Sequence, residues 1–191
     1  MLSIDPQSKD YYKKHLIWYH GTIWDNALSI QKHGIVPDWN QKGKKDFGAA
    51  FYLTSNKNQA ARWAQLSSFR QAKLDIVELG SLPALVTVKI DENILKLADS
   101  KEFELNSDNW AYEILKNRTT FNVKRTVEIE YGPVADGKIN EALRRYRETM
   151  NSEDFTESIS NSKFNQQYDQ LALISRHICN QVKILSVERL A

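Results

Sequence analysis

The chain has 191 residues, 26 of them basic and 24 acidic, for a formal net charge of +2; that length suits one domain with a sizeable core, and the near-balance excludes a strong electrostatic footprint for nucleic acid. One cysteine, Cys179, excludes an internal disulfide, and with four scattered histidines (His15, His20, His33 and His177) it offers no ligand spacing for a structural metal. No apolar run approaches the ~20 residues that span a bilayer and the first ten residues hold no signal-peptide core, so no membrane association and a cytoplasmic location are expected.

Residues 1–14 are polar and read as a loose lead-in to a single domain over 15–191. Residues 16–20 are short, apolar and aromatic, a strand closed by Gly21. Asp25 is placed to cap a helix that runs to His33 and stops at Gly34, with Pro37 preventing its resumption. Residues 37–48 form a polar loop, and residues 49–54 a second strand. Ser55 or Asn56 can cap the next helix, which spaces Ala60, Ala61, Trp63, Ala64 and Leu66 helically.

Residues 82–90 are a strong strand; residues 91–105 carry weaker signals with room for a short one. Ser107 or Asp108 can cap a helix holding Trp110, Ile114 and Leu115. Residues 127–131 read as a strand running into Gly132-Pro133, and residues 138–150 as an amphipathic helix with Ile139, Leu143 and Tyr146 on one side. Ser152 can start a short helix, and residues 168–174 and 182–189 complete the strands. Strands and helices do not alternate strictly, which favours α+β over a doubly wound sheet. Neither Gly-x-Gly-x-x-Gly nor the phosphate-loop pattern is present, so a nucleotide would have to be held without a glycine cradle.

Two segments point to a site: Trp18-Tyr19-His20-Gly21-Thr22 and Lys45-Asp46-Phe47-Gly48-Ala49-Ala50-Phe51-Tyr52-Leu53-Thr54. Each is an apolar run that brings one polar ring to its end, and His20 with Tyr52 would frame a cleft for a flat, polar ligand. Asp46, Phe47 and Gly48 read either as a plain turn or as a loop closing over that ligand with Phe47 as a wall. Thr54 reads either as a ligand contact or as a cap of the following helix. Arg118 sits at a helix end, where it suits the dipole or offers a fork to a pyrophosphate. The basic clusters Lys42, Lys44, Lys45 and Arg144, Arg145, Arg147 are solvated surface or a landing site for a phosphate-bearing ligand or acidic partner.

These two segments continue in order with Gln59-Ala60, Trp63-Ala64, the stretch from Trp110 to Asn117-Arg118, Gly132-Pro133-Val134-Ala135-Asp136 and Tyr168-Asp169-Gln170-Leu171. So arranged, they resemble a bacterial family of domains of unknown function that is similar to ADP-ribosyltransferases of the His-Tyr-Glu type. The resemblance covers most of residues 18–174; residues 175–191 fit it poorly. It implies a split β-sandwich with flanking helices that takes NAD as substrate and passes ADP-ribose to a protein or nucleic-acid acceptor. His20 would bind the adenine-side ribose, Tyr52 would stack on nicotinamide, and Gln170 would stand where many relatives carry the catalytic glutamate. Gly21, Thr22, Phe47, Gly48, Thr54 and Arg118 would complete the dinucleotide site. Small members of the fold often act as toxins, which implies a neutralising, antitoxin-like partner.

The nicotinamide–ribose bond breaks through an oxocarbenium-like state, as in glycoside cleavage. A glutamine can bond a ribose hydroxyl but cannot take a proton as a carboxylate does. The alternatives are a base elsewhere (Asp136, Asp169 or Glu113), an acceptor reactive without help, or a module that binds NAD or ADP-ribose without turnover.

Overall fold

Alternation along β1 (Ile17–Ile23) puts Trp18, His20 and Thr22 on one face and Gly21 on the other. Trp18 is fully buried. In the computed structural model, which describes residues 5–37, 45–72, 79–120, 123–135, 139–160 and 167–191, β1 is the edge of an antiparallel sheet with β3 (Pro83–Lys89) and β7 (Lys183–Arg189), in the order β1-β3-β7. A second sheet runs β2-β6-β5-β4, from β2 (Phe51–Leu53), β6 (Asp169–Leu173), β5 (Ile129–Pro133) and β4 (Ser100–Glu102). Its pairs are antiparallel except β4 with β5. Helices set against two mostly antiparallel sheets make this an α+β fold, as the sequence pattern predicts.

The two sheets share one core. Trp18, Val86 and Val88 of the first meet Phe51, Leu53, Ile129, Leu171 and Leu173 of the second. The second sheet carries another core on its opposite face, where Ala172 and Phe47 pack with Trp110, Ile114, Leu143 and Phe155. Those residues come from α5 (Asp108–Thr119), α6 (Ile139–Thr149) and α7 (Ser152–Ser160). Covered on both sides, β5 and β6 are buried throughout, their polar residues Glu130, Asp169 and Gln170 included.

Several boundaries differ from the sequence reading for local reasons. The lead-in is not loose: α1 (Tyr11–Lys14) docks Tyr12, 1% exposed, on the Tyr131 ring at 5.0 Å, and the Tyr12 hydroxyl lies 2.7 Å from Ser100 Oγ. β1 continues through Gly21, and α2 (Trp24–His33) starts so directly after it that Asp25 falls in the first turn, not at the cap. Asn56 caps α3 (Lys57–Ala72) by accepting from the Asn58 and Gln59 amides, and Ser107 caps α5 through the Trp110 amide. Asn151, one residue before Ser152, supplies the acceptor for α7. Two short helices escape periodicity because they hold so few residues: α4 (Glu92–Leu97), capped by Asp91, and α8 (Arg176–Cys179), capped by Ser175. β5 lies two residues later than expected and takes in Gly132 and Pro133.

Candidate functional site at the seam between the sheets

β1 and β2 are edge strands of different sheets, and they touch. Tyr19 and Thr54 exchange both backbone hydrogen bonds at 2.9 Å. One residue further along β1, His20 Nδ1 donates to the Tyr52 carbonyl at 2.8 Å, and its ring lies on Phe51 with centroids 4.3 Å apart. A carbonyl only accepts, so Nδ1 carries the proton and Nε2 keeps a lone pair. Burial holds the imidazole pKa below its ordinary value, which keeps this neutral tautomer. The His20 ring singled out from the sequence is therefore bonded directly to the Tyr52 backbone, not to the Tyr52 ring.

Tyr52 is fixed at its far end as well. Its hydroxyl accepts from the Phe47 amide at 3.1 Å and donates to the Gly48 carbonyl at 2.7 Å. Burial, then the nearby Asp46 charge, pushes its pKa well above the usual tyrosine value, so it stays a neutral phenol. Gly48 has φ +70°, and a Cβ there would lie 2.6 Å from Arg125 Nη1 and 2.7 Å from Asn117 Oδ1, so the turn needs glycine for backbone and for space. Phe47 does not wall the ligand side: it is wholly buried and stacked on Phe103 at 5.2 Å.

Gln170, 7% exposed, spends its amide nitrogen inside the protein, donating to Asp46 Oδ2 and to the Pro133 carbonyl, both at 3.0 Å. Asp46 is equally buried and takes further bonds from the Ala135 amide on Oδ2 and from Arg118 Nε on Oδ1, each 3.0 Å long; Arg118 Nη2 reaches the same Oδ1. Arg118 is thus an ion-pair partner in this structure. Both acceptors facing Gln170 lack a hydrogen, so an amide suits this position and a carboxylate does not.

The remaining sequence candidates separate. Gly21 faces α3, where a Cβ would lie 1.8 Å from the Ala60 carbonyl oxygen. Thr22 is buried and accepts from Asn26 Nδ2 at 3.3 Å. Thr54 Oγ1 lies 2.6 Å from Asp169 Oδ1 and 2.8 Å from Gln59 Oε1, and accepts from the Asn56 amide at 3.1 Å. Asp169 is further engaged by the Ser55 amide and by the Tyr131 hydroxyl, each at 3.0 Å. Glu113 lies within salt-bridge reach of Lys101 and Lys116 and accepts from Asn117. Asp136, Lys42 and Lys44 lie outside the described residues. A cleft of about 230 Å³ between Pro6, Lys9, Glu102, Phe103 and Tyr131 is lined by none of the seam's rings. Among the described residues no group of three or more His, Cys, Asp or Glu could hold a metal, and no helix is long and apolar enough to cross a membrane.

One ion pair escapes the sequence reading. Glu130 shares a sheet face with Tyr52, Ala172 standing between them, and bonds Arg125 at 2.7 Å; Arg125 also donates to Asn117 at 2.8 Å. A charge in the middle of a strand that runs into buried Gly132-Pro133 was the available signal, since a buried charge needs a partner. Burial, opposed by Arg125 and helped by Glu113, pushes the Glu130 carboxyl up to about 6. A folded-state pKa raised from 4.5 to about 6 gives stability that is fully present below 4.5 and lost as pH rises through 6, about 2 kcal/mol in all. Urea unfolding of the native protein from pH 4 to 7 should show this loss, and Glu130→Gln should remove that component of the slope.

No curated protein and no solved structure matches the chain. A family model described as a protein of unknown function, DUF3990, matches residues 17–184, which covers the second sheet, the seam and the first sheet up to the start of β7, and the chain belongs to that family.

Proposed function

We propose that the protein is an NAD-dependent ADP-ribosyltransferase-like enzyme of split β-sandwich type, with the seam between β1 and β2 as its dinucleotide site. The observation that carries this reading is the hydrogen bond from His20 to the Tyr52 carbonyl, which joins the two motif residues where the edges of the two sheets meet. Both residues are only partly buried, so a ligand can reach them. Neutral His20 presents Nε2 to accept from a ribose hydroxyl. Tyr52, its hydroxyl tied to the turn at Phe47 and Gly48, offers a ring held ready for nicotinamide, where stacking contributes on the order of 1 kcal/mol. In this reading Gln170, its amide nitrogen committed to Asp46 and Pro133, would use its amide oxygen to accept from the nicotinamide-ribose 2′-hydroxyl. Products would be free nicotinamide and an ADP-ribosylated protein or nucleic acid. The setting this implies is a toxin with a neutralising partner.

A second reading has its own support. Asp46 and Gln170 satisfy each other, and Asp46 is also paired with Arg118, so that buried group supplies no ready base. That favours a module that binds NAD or ADP-ribose without turnover. Mass spectrometry of the protein with NAD and a cell lysate separates the two: nicotinamide release with adducts supports the transferase, and NAD binding without release supports the module. His20→Ala and Tyr52→Ala should each weaken NAD at least tenfold by calorimetry while the circular dichroism spectrum stays native. Unchanged affinity in both variants would sink the site assignment.

A further inference from the structure

A helix laid on a sheet ordinarily turns a polar side to water. α3 does not. It sets the buried Ala60 and Ala64 against β1, close enough that a Cβ on Gly21 would strike the Ala60 carbonyl. At 3.6 residues per turn Leu66 and Phe69 stand on the far side, with Trp63 at its margin. All three are exposed, Phe69 to 60%. The other large exposed apolar side chains of the described residues are scattered singly, such as Leu28 on α2, Leu97 on α4, Tyr112 on α5 and Leu185 on β7, and single ones are ordinary. Arg62 and Arg70 lie among the α3 residues, and the Arg70 guanidinium stands 5.8 Å over the Trp63 ring. Between Asp46 and Asp75 the chain has no acidic residue, its longest such run. α3 therefore offers its arginines no carboxylate of its own, whereas Arg144 and Arg145 pair with Glu148 and Glu141 within α6.

We propose that the outer face of α3 is a docking surface for another protein, which it takes through an acidic amphipathic segment. Apolar side chains of that segment pack on Trp63, Leu66 and Phe69, and its carboxylates meet Arg62 and Arg70. Charge complementarity selects this occupant. A face with apolar anchors, two arginines and no acid of its own is matched by carboxylates around an apolar stripe. Trp, Phe and Arg are also the residues that protein interfaces favour. Stacking over Trp63 uses the flat side of the Arg70 guanidinium, and a carboxylate is taken by its N–H edge, so the two contacts are compatible. A second copy meeting this face with its own would set arginine against arginine. Two outward arginines on a nearly neutral chain are a small footprint for nucleic acid. The inference does not depend on what the seam binds.

The probe is a phage-displayed library of helical peptides with Leu, Ile and Phe on one face and Asp and Glu elsewhere, panned against the full chain. A library with the same apolar pattern and Lys and Arg elsewhere is the control. Binders are expected from the acidic library only, with affinities that fall as salt is raised. Phe69→Ser/Arg70→Gln should weaken them at least tenfold, and Leu97→Ser on α4 less than twofold. Phe69 and Arg70 are exposed, so the double variant should keep its native melting temperature. Hydroxyl-radical footprinting of the native chain, read by mass spectrometry, tests the same surface without a variant: a selected peptide should protect Trp63 and Phe69 and leave Leu97 and Tyr112 unchanged. No enrichment of acidic over basic peptides overturns the inference. So do selected peptides that leave Trp63 and Phe69 unprotected, or that bind the double variant as tightly as the native chain. Self-association of the native chain in light scattering, abolished by Phe69→Ser/Arg70→Gln, would give the face to a second copy and overturn it. Binding of anionic vesicles or of a single-stranded oligonucleotide, lost in the same variant while no acidic peptide is selected, would overturn it in favour of a membrane or a nucleic acid.

Discussion

Gln170→Glu is expected to destabilise the protein by about 3 kcal/mol at pH 8, the cost of setting an unpaired charge against buried acceptors. The amide nitrogen of Gln170 now donates to Asp46 Oδ2 and to the Pro133 carbonyl. A glutamate would aim an oxygen at each. Two carboxylates would then share one buried site, and like charge raises the pKa of the new group. The sign follows: the penalty is smaller below the unfolded glutamate pKa, where the new carboxyl is protonated and can donate to Asp46, and it grows as pH rises. Urea unfolding at pH 4 and pH 8 measures this. Equal stability of variant and native chain at both values would show that the Asp46–Gln170 bond contributes nothing. The same geometry changes how an activity test must be interpreted. Under the proposed transferase reading, a glutamate at 170 would face Asp46 and the Pro133 carbonyl with no donor to offer them, so a change of activity in Gln170→Glu would reflect this misfit as well as the new carboxylate.

Gly21→Ala should cost about 3 kcal/mol or more, the upper end for overpacking a core. A Cβ at this position would lie 1.8 Å from the Ala60 carbonyl oxygen and 2.9 Å from the Ala64 backbone nitrogen. Both are backbone atoms of α3, so no rotamer change relieves the clash; the helix must move off β1. Small residues at 60 and 64, fully or almost fully buried, let the helix approach this closely. The expected result is a melting temperature lower by about 6 °C or more, scaled to a chain of this size. His20 lies next to this contact, so if the proposed NAD site holds, weaker NAD binding in Gly21→Ala would follow from displaced backbone. A native melting temperature with weakened NAD binding would instead assign Gly21 to direct ligand contact.

The sequence reading located most strands well because apolar β-prone runs and their turns are local signals. It narrowed the caps to Ser55 or Asn56 and to Ser107 or Asp108, of which the structure uses Asn56 and Ser107, because a cap needs only its own next few amides. It missed α4 and α8, whose four to six residues cannot display a helical period. It took Tyr11 and Tyr12 for part of a loose segment because their neighbours are polar, whereas their burial depends on Tyr131, some 120 positions later. Phe47 was legible as an aromatic beside the site but not as a core residue, since its partner Phe103 comes from a different part of the chain.

By itself the sequence determined the two polar rings, His20 and Tyr52, the order of the motifs, the α+β composition and membership of one family over residues 17–184. Those features are written in local runs of residue type, so they survive without knowledge of the fold. Only the tertiary structure decided what each ring and charge is bonded to. Pairing of β1 with β2 at Tyr19 and Thr54 brings His20 onto the Tyr52 carbonyl. Packing of the turn at Asp46 against β6 and α5 turns a glutamine, an aspartate and an arginine from three distant segments into one buried group. Hydrogen bonds and ion pairs reach only about 3 Å, and partners separated by 72 and 124 positions are brought within that reach by packing alone.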